Sequence, residues 1–113
     1  MSKKNKKLIM IDLDGVLNQY SGHYSEFVIP KPAVGVESFL EKLNADFIIS
    51  VFTTRDCKLT EGWLKDNSLD KYISEVTNVK KPCFLYIDDR AICHRGNFEL
   101  TIQQIKKFKT YWK

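Results

Sequence analysis

The sequence lacks the features of an exported or membrane-embedded protein. Its 113 residues contain no secretory apolar region and no apolar run near the roughly 18 residues that a membrane span needs. Cysteine is scarce: Cys57, Cys83 and Cys93 are an odd number without regular spacing, which disfavours a disulfide framework. These absences predict a protein of the reducing cytoplasm that has no membrane partner.

Internal repeats and low-complexity segments are also absent, apart from a basic stretch at the start of the sequence. Four lysines there account for the net charge of +4 and leave 14 basic and 14 acidic residues elsewhere: Lys3, Lys4, Lys6 and Lys7. We therefore predict a basic arm over 1–7 and a single domain over 8–113, because this length supports one core. The arm is either a solvated terminus or a contact for nucleic acid or another acidic partner.

Strand and helix patterns alternate along the domain. Three apolar segments are typical of strands that are buried on both faces, as in a parallel sheet: 8–11, 47–52 and 83–87. Apolar residues at helical spacing predict three helices, over 33–44, 59–67 and 101–112. Segment 72–76 is either a short strand or a turn. The alternation predicts an α/β fold with helices packed on a mostly parallel sheet.

Polar residues follow each of the three predicted strands. Asp12 and Asp14 follow the first, Thr53 the second, and the pair Asp88-Asp89 the third. The carboxyl ends of parallel strands lie side by side, so we expect these groups to meet at one edge of the sheet. Clustered carboxylates repel each other unless a cation or a shared proton relieves the charge. The sequence therefore predicts a chemical site at this edge.

Four ordered motifs resemble those of the haloacid dehalogenase (HAD) superfamily of phosphotransferases. The segment Asp12-Leu-Asp14-Gly15-Val16 resembles the first motif, Asp-x-Asp-Gly-(Thr/Val), and Thr53 at the end of a hydrophobic strand resembles the second. The other two positions are the motif lysine, assigned to Lys81 with Lys80 as an alternative, and the acidic pair Asp88-Asp89. The resemblance covers about 8 to 90 and implies a Rossmann-like three-layer α/β/α core.

The resemblance implies a catalytic role for four side chains. Asp12 would be the nucleophile that forms an aspartyl-phosphate, and Asp14 the general acid and base. Thr53 would donate a hydrogen bond to a phosphoryl oxygen. Lys81 would neutralise the charge of the phosphoryl group. These roles predict a phosphomonoester hydrolase.

The resemblance also implies a magnesium site. The ligands would be the Asp12 and Asp88 carboxylates and the main-chain carbonyl of Asp14. Asp89 would either bind more weakly, through water, or orient the ligands around the metal. Taken alone, a pair such as Asp88-Asp89 is equally typical of a helix cap or a turn. Zinc at Cys93-His94 is only weakly indicated, because these two ligands have no second pair at a suitable spacing.

The gaps between the motifs are too short for the cap domain that many HAD phosphatases carry. We therefore expect a capless, open site, for which the 18–32 loop with Tyr20, His23 and Tyr24 is a candidate lid. Arg55 and Arg90 flank the motifs, and each either reaches a substrate anion or pairs with an aspartate.

Several alternatives remain open from the sequence. The substrate is either a small phosphomonoester or a phosphorylated end of a nucleic acid. A catalytically silent HAD-fold binding module and a phosphotransferase with an acceptor other than water are the rival functions. The sequence predicts neither the substrate's identity nor the oligomeric state.

Overall fold

Four parallel strands form the sheet of the computed structural model, which describes residues 5–113. The strands are β1 (Lys7–Asp12), β2 (Phe47–Phe52), β3 (Glu75–Thr77) and β4 (Leu85–Ile87), and their order in the sheet is β3-β2-β1-β4. All three neighbouring pairs are parallel. The predicted α/β fold is confirmed, and the arrangement is consistent with a Rossmann-like three-layer fold.

Three helices alternate with these strands: α1 (Val36–Asp46), α2 (Cys57–Asp66) and α3 (Phe98–Lys107). Asp56 caps α2 by accepting a hydrogen bond from the backbone of Leu59, and Asn97 caps α3 in the same way. Between β1 and α1, a π-type turn over Leu13–Leu17 leads into the 18–32 loop.

The main core lies between the sheet and the first two helices. Ile9 and Ile11 of β1 and Val51 of β2 are fully buried, in one cluster with Leu40 of α1 and Leu64 of α2. Successive side chains of a strand point to opposite faces of the sheet. Even-numbered residues of β1 therefore point to the face away from this core, and Asp12 is the last of them.

The connection between β3 and β4 crosses the opposite face without forming a helix. It runs over 78–84, and the backbone N–H of Lys81 donates to Sδ of Met10 at 3.3 Å. Helix α3 adds little cover: none of its residues is buried, and Ile102 and Ile105 are exposed. The structure also differs from the prediction at the end of this helix, since Trp112 lies beyond it. This face of the sheet is therefore more open than the core face.

The boundary of the predicted basic arm also changes. Lys7 is the first residue of β1, and Nζ of Lys6 donates a hydrogen bond to the carbonyl of Asn44 at 3.0 Å. Both lysines thus belong to the folded domain, whereas Lys3 and Lys4 lie outside the described residues.

Membrane insertion was not expected from the sequence. Among residues 5–113, no helix combines the length and apolarity required to cross a bilayer.

The core assignment can be tested by truncating one side chain. Leu40 is fully buried, so Leu40→Ala is expected to lower the free energy of unfolding by about 2–5 kcal/mol. Val34 is 97% exposed, so Val34→Ala should change it by less than about 0.5 kcal/mol. Urea unfolding of both variants provides the measurement, and similar losses in both would contradict the packing of α1.

Candidate active site

Three carboxylates meet at the carboxyl edge of the sheet. Asp12 ends β1, and Asp88 and Asp89 directly follow β4, whose last residue, Ile87, pairs with Ile11 of β1. One oxygen from each of the three carboxylates lies within 4.8 Å of the others. The parallel pairing of two neighbouring strands thus brings together residues that are 76 positions apart or more in the sequence.

The electrostatics of this acidic cluster are unfavourable for three charged groups. The pKa of Asp12 is raised from 3.8 to about 8, chiefly because burial removes its carboxylate from water. The negative charges of Asp88 and Asp89, a hydrogen bond with Asp89 and the charge of Asp14 raise this pKa further. Without a cation, Asp12 therefore retains its proton at neutral pH.

The ligand atoms of the cluster fit a hard divalent cation. All three side chains offer carboxylate oxygens, which Mg²⁺ prefers over nitrogen or sulfur. Asp88 is oriented by its own turn, because the backbone N–H of Arg90 donates to one of its oxygens at 2.8 Å. The acidic cluster could therefore hold such a cation, and it contains neither histidine nor cysteine.

The carboxylate of Asp14 lies outside this cluster and is paired with a cation of its own, while the predicted role of the Asp14 main-chain carbonyl as a metal ligand stays a prediction. Nε and one terminal nitrogen of Arg55 donate to the two oxygens of Asp14 at 2.8 and 3.1 Å, and Asn18 donates to one of them at 3.0 Å. The Arg55 side chain is fully buried. Of the two roles considered for Arg55, the structure therefore shows the ion pair with an aspartate. The charge of Asp14 is compensated, whereas that of the cluster is not.

The turn after β1 gives Asp14 its position. Gly15 has a φ of 84°, in the left-handed region that favours glycine, and its N–H donates to Oδ1 of Asn18 at 3.2 Å. A Cβ atom at Gly15 would clash with the carboxylate of Asp89. Glycine is thus required here both for the turn and for the close approach of Asp89.

Thr53 and its neighbour have different surroundings. Thr53 is buried, and its hydroxyl accepts a hydrogen bond from the backbone N–H of Arg55 at 3.0 Å. Its carbonyl accepts a hydrogen bond from the side chain of Asn78. Thr54 lines a cavity over the acidic cluster instead. The predicted hydrogen bond from Thr53 to a phosphoryl group stays a prediction, and Thr54 is a second hydroxyl near the site.

The two candidate motif lysines point to different places. Nζ of Lys81 lies 2.7 Å from both carboxylate oxygens of Glu75 on β3. Lys80 lines the same cavity as Asp12, with Nζ 4.4 Å from the centre of the Tyr86 ring. Of the two, Lys80, the alternative assignment, lines a cavity with Asp12, and the assignment of the motif lysine stays a prediction.

Two cavities meet at the acidic cluster. The smaller, about 340 Å³, contains Asp14, Tyr20, Tyr24 and Arg90 in its walls, and the larger, about 730 Å³, extends along β4 past Tyr86 and Ile92. Both cavities are lined by Asp12, Phe52 and Asp88. The predicted lid loop contributes Tyr20 and Tyr24 to the smaller cavity, whereas His23 is exposed.

Sequence reasoning missed two groups at this site. Asn18 bonds both to Asp14 and to the turn after β1, and its spacing of four residues from Asp14 is the only local signal. Trp112 donates from Nε1 to Oδ2 of Asp89 at 2.5 Å. No local pattern indicates that contact, because Trp112 follows Asp89 by 23 residues, with α3 between them.

Comparison with known proteins supports the fold. No family model matches the chain, and none of the curated proteins matches it. The chain is similar to a solved structure of a conserved protein from Bacteroides thetaiotaomicron, with 18% sequence identity and a TM-score of 0.60 over 95% of each chain. At this identity the similarity shows a matching fold and no function.

The raised pKa of Asp12 predicts a pH dependence of stability. The folded chain holds a proton up to about pH 8 that the unfolded chain releases near the ordinary aspartate pKa of 3.8. This stabilisation is complete below about pH 4, decreases between about pH 4 and 8, and is absent above. In chelator, the free energy of unfolding of the wild type relative to Asp12→Asn should therefore fall as pH rises.

The slope should be less than the roughly 1.4 kcal/mol per pH unit of one fully coupled proton, because Asp12 is only partly buried. Denaturant unfolding of both proteins at several pH values between about 5 and 9 measures it. Parallel profiles for wild type and variant would contradict a raised pKa at Asp12.

Proposed function

We propose that the chain is a magnesium-dependent phosphomonoester hydrolase of the capless HAD type, which works through an aspartyl-phosphate. The observation that carries the proposal is the acidic cluster of Asp12, Asp88 and Asp89, whose oxygens lie within 4.8 Å at the carboxyl edge of a parallel sheet. Ligand sites of open α/β sheets occur at this edge. The ordered motifs of the sequence assign a chemical task to the same residues.

The three carboxylates of the cluster would hold the cation. Bound Mg²⁺ supplies the positive charge that keeps Asp12 ionised and lets a phosphate dianion approach the carboxylates. A neutral Asp12 is a poor nucleophile, and its pKa of about 8 in the cation-free protein makes this charge compensation necessary.

The proposed reaction has two displacement steps at phosphorus. An ionised Asp12 oxygen forms a bond to phosphorus while the bond to the leaving oxygen breaks, and Asp14 gives a proton to that leaving oxygen. A water molecule then attacks phosphorus and gives a proton back to Asp14, and the Asp12 carboxylate leaves. The products are an alcohol and inorganic phosphate, and both aspartates return to their starting forms.

The contacts of Asp14 add a requirement to this scheme. Two hydrogen bonds end on its Oδ1 and one on its Oδ2, so the proton that the scheme places on Asp14 has one lone pair left to it, on Oδ2. Arg55 has other partners, since it donates to the carbonyl of Ser25 at 2.6 Å and lies 4.6 Å from the centre of the Tyr24 ring. Because Ser25 and Tyr24 belong to the 18–32 loop, a lid movement would change the surroundings of the proposed acid.

The larger cavity is suited to the leaving group of the substrate. It is about 730 Å³ and adjoins Asp12 and Asp88, and apolar and aromatic side chains form most of its wall. Pockets of this size hold small organic ligands. Lys80 at its margin would take the charge-neutralising role that the resemblance gives to the motif lysine.

A phosphorylated nucleic-acid end is the second candidate substrate. A cleft of about 450 Å³ beside the site is lined by Arg90, Lys109 and Lys113 and by no acidic residue. Arg90 also lines the cavity over the acidic cluster, so this cleft adjoins the proposed site of phosphate transfer. Such a basic surface suits the next phosphate of a polynucleotide.

All three cysteines are free, which agrees with a proposed cytoplasmic location.

The proposed nucleophile is tested by replacing Asp12 with a residue of similar shape. Wild type is expected to hydrolyse an aryl phosphate with Mg²⁺, and Asp12→Asn to lower kcat by at least about a thousandfold. Asp66→Asn, an exposed aspartate at the end of α2, is the matched control and should keep wild-type kcat. The rate of release of inorganic phosphate gives kcat for wild type and for both variants.

Two results would contradict this proposal. Wild type that is inert across a broad panel of phosphomonoesters would support the binding module instead. Transfer of the phosphoryl group to an added alcohol, in preference to water, would make the protein a phosphotransferase.

The identity of the motif lysine is a separate prediction. Lys80→Ala is expected to lower kcat/KM by about 10–100-fold, because it removes a cation from the wall of the cavity that Asp12 and Asp88 also line. Lys81→Ala removes the ion pair with Glu75, which is half exposed, and should cost no more than about 1 kcal/mol of stability. Steady-state kinetics and thermal unfolding of both variants measure these effects. A larger kinetic loss in Lys81→Ala would return that role to Lys81.

A further inference from the structure

Trp112 contacts the acidic cluster and the 18–32 loop at the same time. We infer that Trp112 is a positioning residue, which orients Asp89 for binding of the divalent cation and anchors the 18–32 loop beside it. The inference rests on the cation site of the proposed function. It adds a residue that none of the four motifs contains.

The contact with Asp89 is a direct hydrogen bond to a proposed ligand. The indole Nε1 of Trp112 is a donor only, and it lies 2.5 Å from Oδ2 of Asp89. A carboxylate has two oxygens, so a donor fixed on one of them sets the plane in which the other is presented. Groups that orient metal ligands in this way typically change metal affinity by about 10–100-fold when they are lost.

The ring of Trp112 is itself held from several sides. Tyr20 meets it edge-on, with ring centres 5.2 Å apart and an interplanar angle of 81°. The guanidinium of Arg90 lies 5.4 Å from the ring centre. A Cβ atom at Gly22 would lie 3.3 Å from the ring, so the loop approaches Trp112 closely where it has no side chain.

The neighbouring residue attaches the same segment to the turn after β1. The hydroxyl of Tyr111 donates a hydrogen bond to the carbonyl of Gly15. A Cβ atom at Gly15 would lie 3.0 Å from Nε1 of Trp112. Tyr111 and Trp112 therefore bind both the turn that bears Asp14 and the loop that bears Tyr20. Asp89 is the member of the acidic cluster to which Trp112 donates its hydrogen bond.

The N–H and the ring of the Trp112 indole have different partners. The N–H donates a hydrogen bond to Asp89, whereas the ring packs against Tyr20 and Arg90. Trp112→Phe removes the hydrogen bond to Asp89 and keeps an aromatic ring that can pack against Tyr20 and Arg90. Trp63→Phe is the matched control, because Nε1 of Trp63 donates to the carbonyl of Pro30 at 3.1 Å and has no contact with the acidic cluster.

Calorimetric titration with Mg²⁺, in the absence of any substrate, tests the inference. Trp112→Phe should raise the Kd for Mg²⁺ by about tenfold. Trp63→Phe should leave it within about twofold of wild type, although it too loses an indole hydrogen bond. An unchanged Kd in Trp112→Phe would overturn the positioning role and leave the proposed hydrolase intact. Wild type without Mg²⁺ binding would overturn the cation site and the inference together.

A second measurement leaves Trp112 in place. The chain has two tryptophans, so in Trp63→Phe the emission of Trp112 can be recorded alone. Mg²⁺ that binds Asp89 changes the charge next to the indole, and a saturating change in emission is expected at the calorimetric Kd. Constant emission while calorimetry records binding would contradict the contact between Trp112 and the cation site.

Discussion

Repulsion among the carboxylates of Asp12, Asp88 and Asp89 is the constraint on which the rest of this site depends. Parallel pairing of β1 with β4 places the three groups within 4.8 Å of one another, and partial burial of Asp12 reduces the screening of its charge by water. The folded chain therefore needs either a proton on Asp12 or a cation among the carboxylates. We propose that chemistry takes place at this edge because a proton on Asp12 and a bound cation can replace each other there.

The charged groups nearby divide into compensated and uncompensated ones. Asp14 has a buried arginine, Arg55, on its two oxygens, and Glu75 has Lys81. The acidic cluster has no such partner among the ion pairs of residues 5–113. Its neighbours are a hydrogen-bond donor, Trp112, and a lysine at the edge of the cavity, Lys80. In the proposed function, a bound divalent cation supplies the compensation that these neighbours do not.

Sequence reasoning predicted what depends on strong local patterns. The second strand has the predicted bounds, and Asp12, Asp88 and Asp89 could be expected to meet because parallel strands end at one edge. The sequence did not decide whether Lys80 or Lys81 is the motif lysine, because adjacent residues of an irregular connection have no periodic orientation. Trp112 was placed on a helix that in fact ends at Lys107, and its bond to Asp89 depends on how the following turn packs. Long-range packing of irregular segments leaves no local signal.

The most direct test counts the protons that Mg²⁺ releases on binding. Calorimetric titrations at about pH 7, in two buffers with different ionisation enthalpies, give this number without a substrate. Because the pKa of Asp12 is about 8 in the cation-free protein, we expect about one proton to be released per bound Mg²⁺, and none from Asp12→Asn. Binding of Mg²⁺ without proton release, or the same release from Asp12→Asn, would contradict the exchange of proton for cation at Asp12.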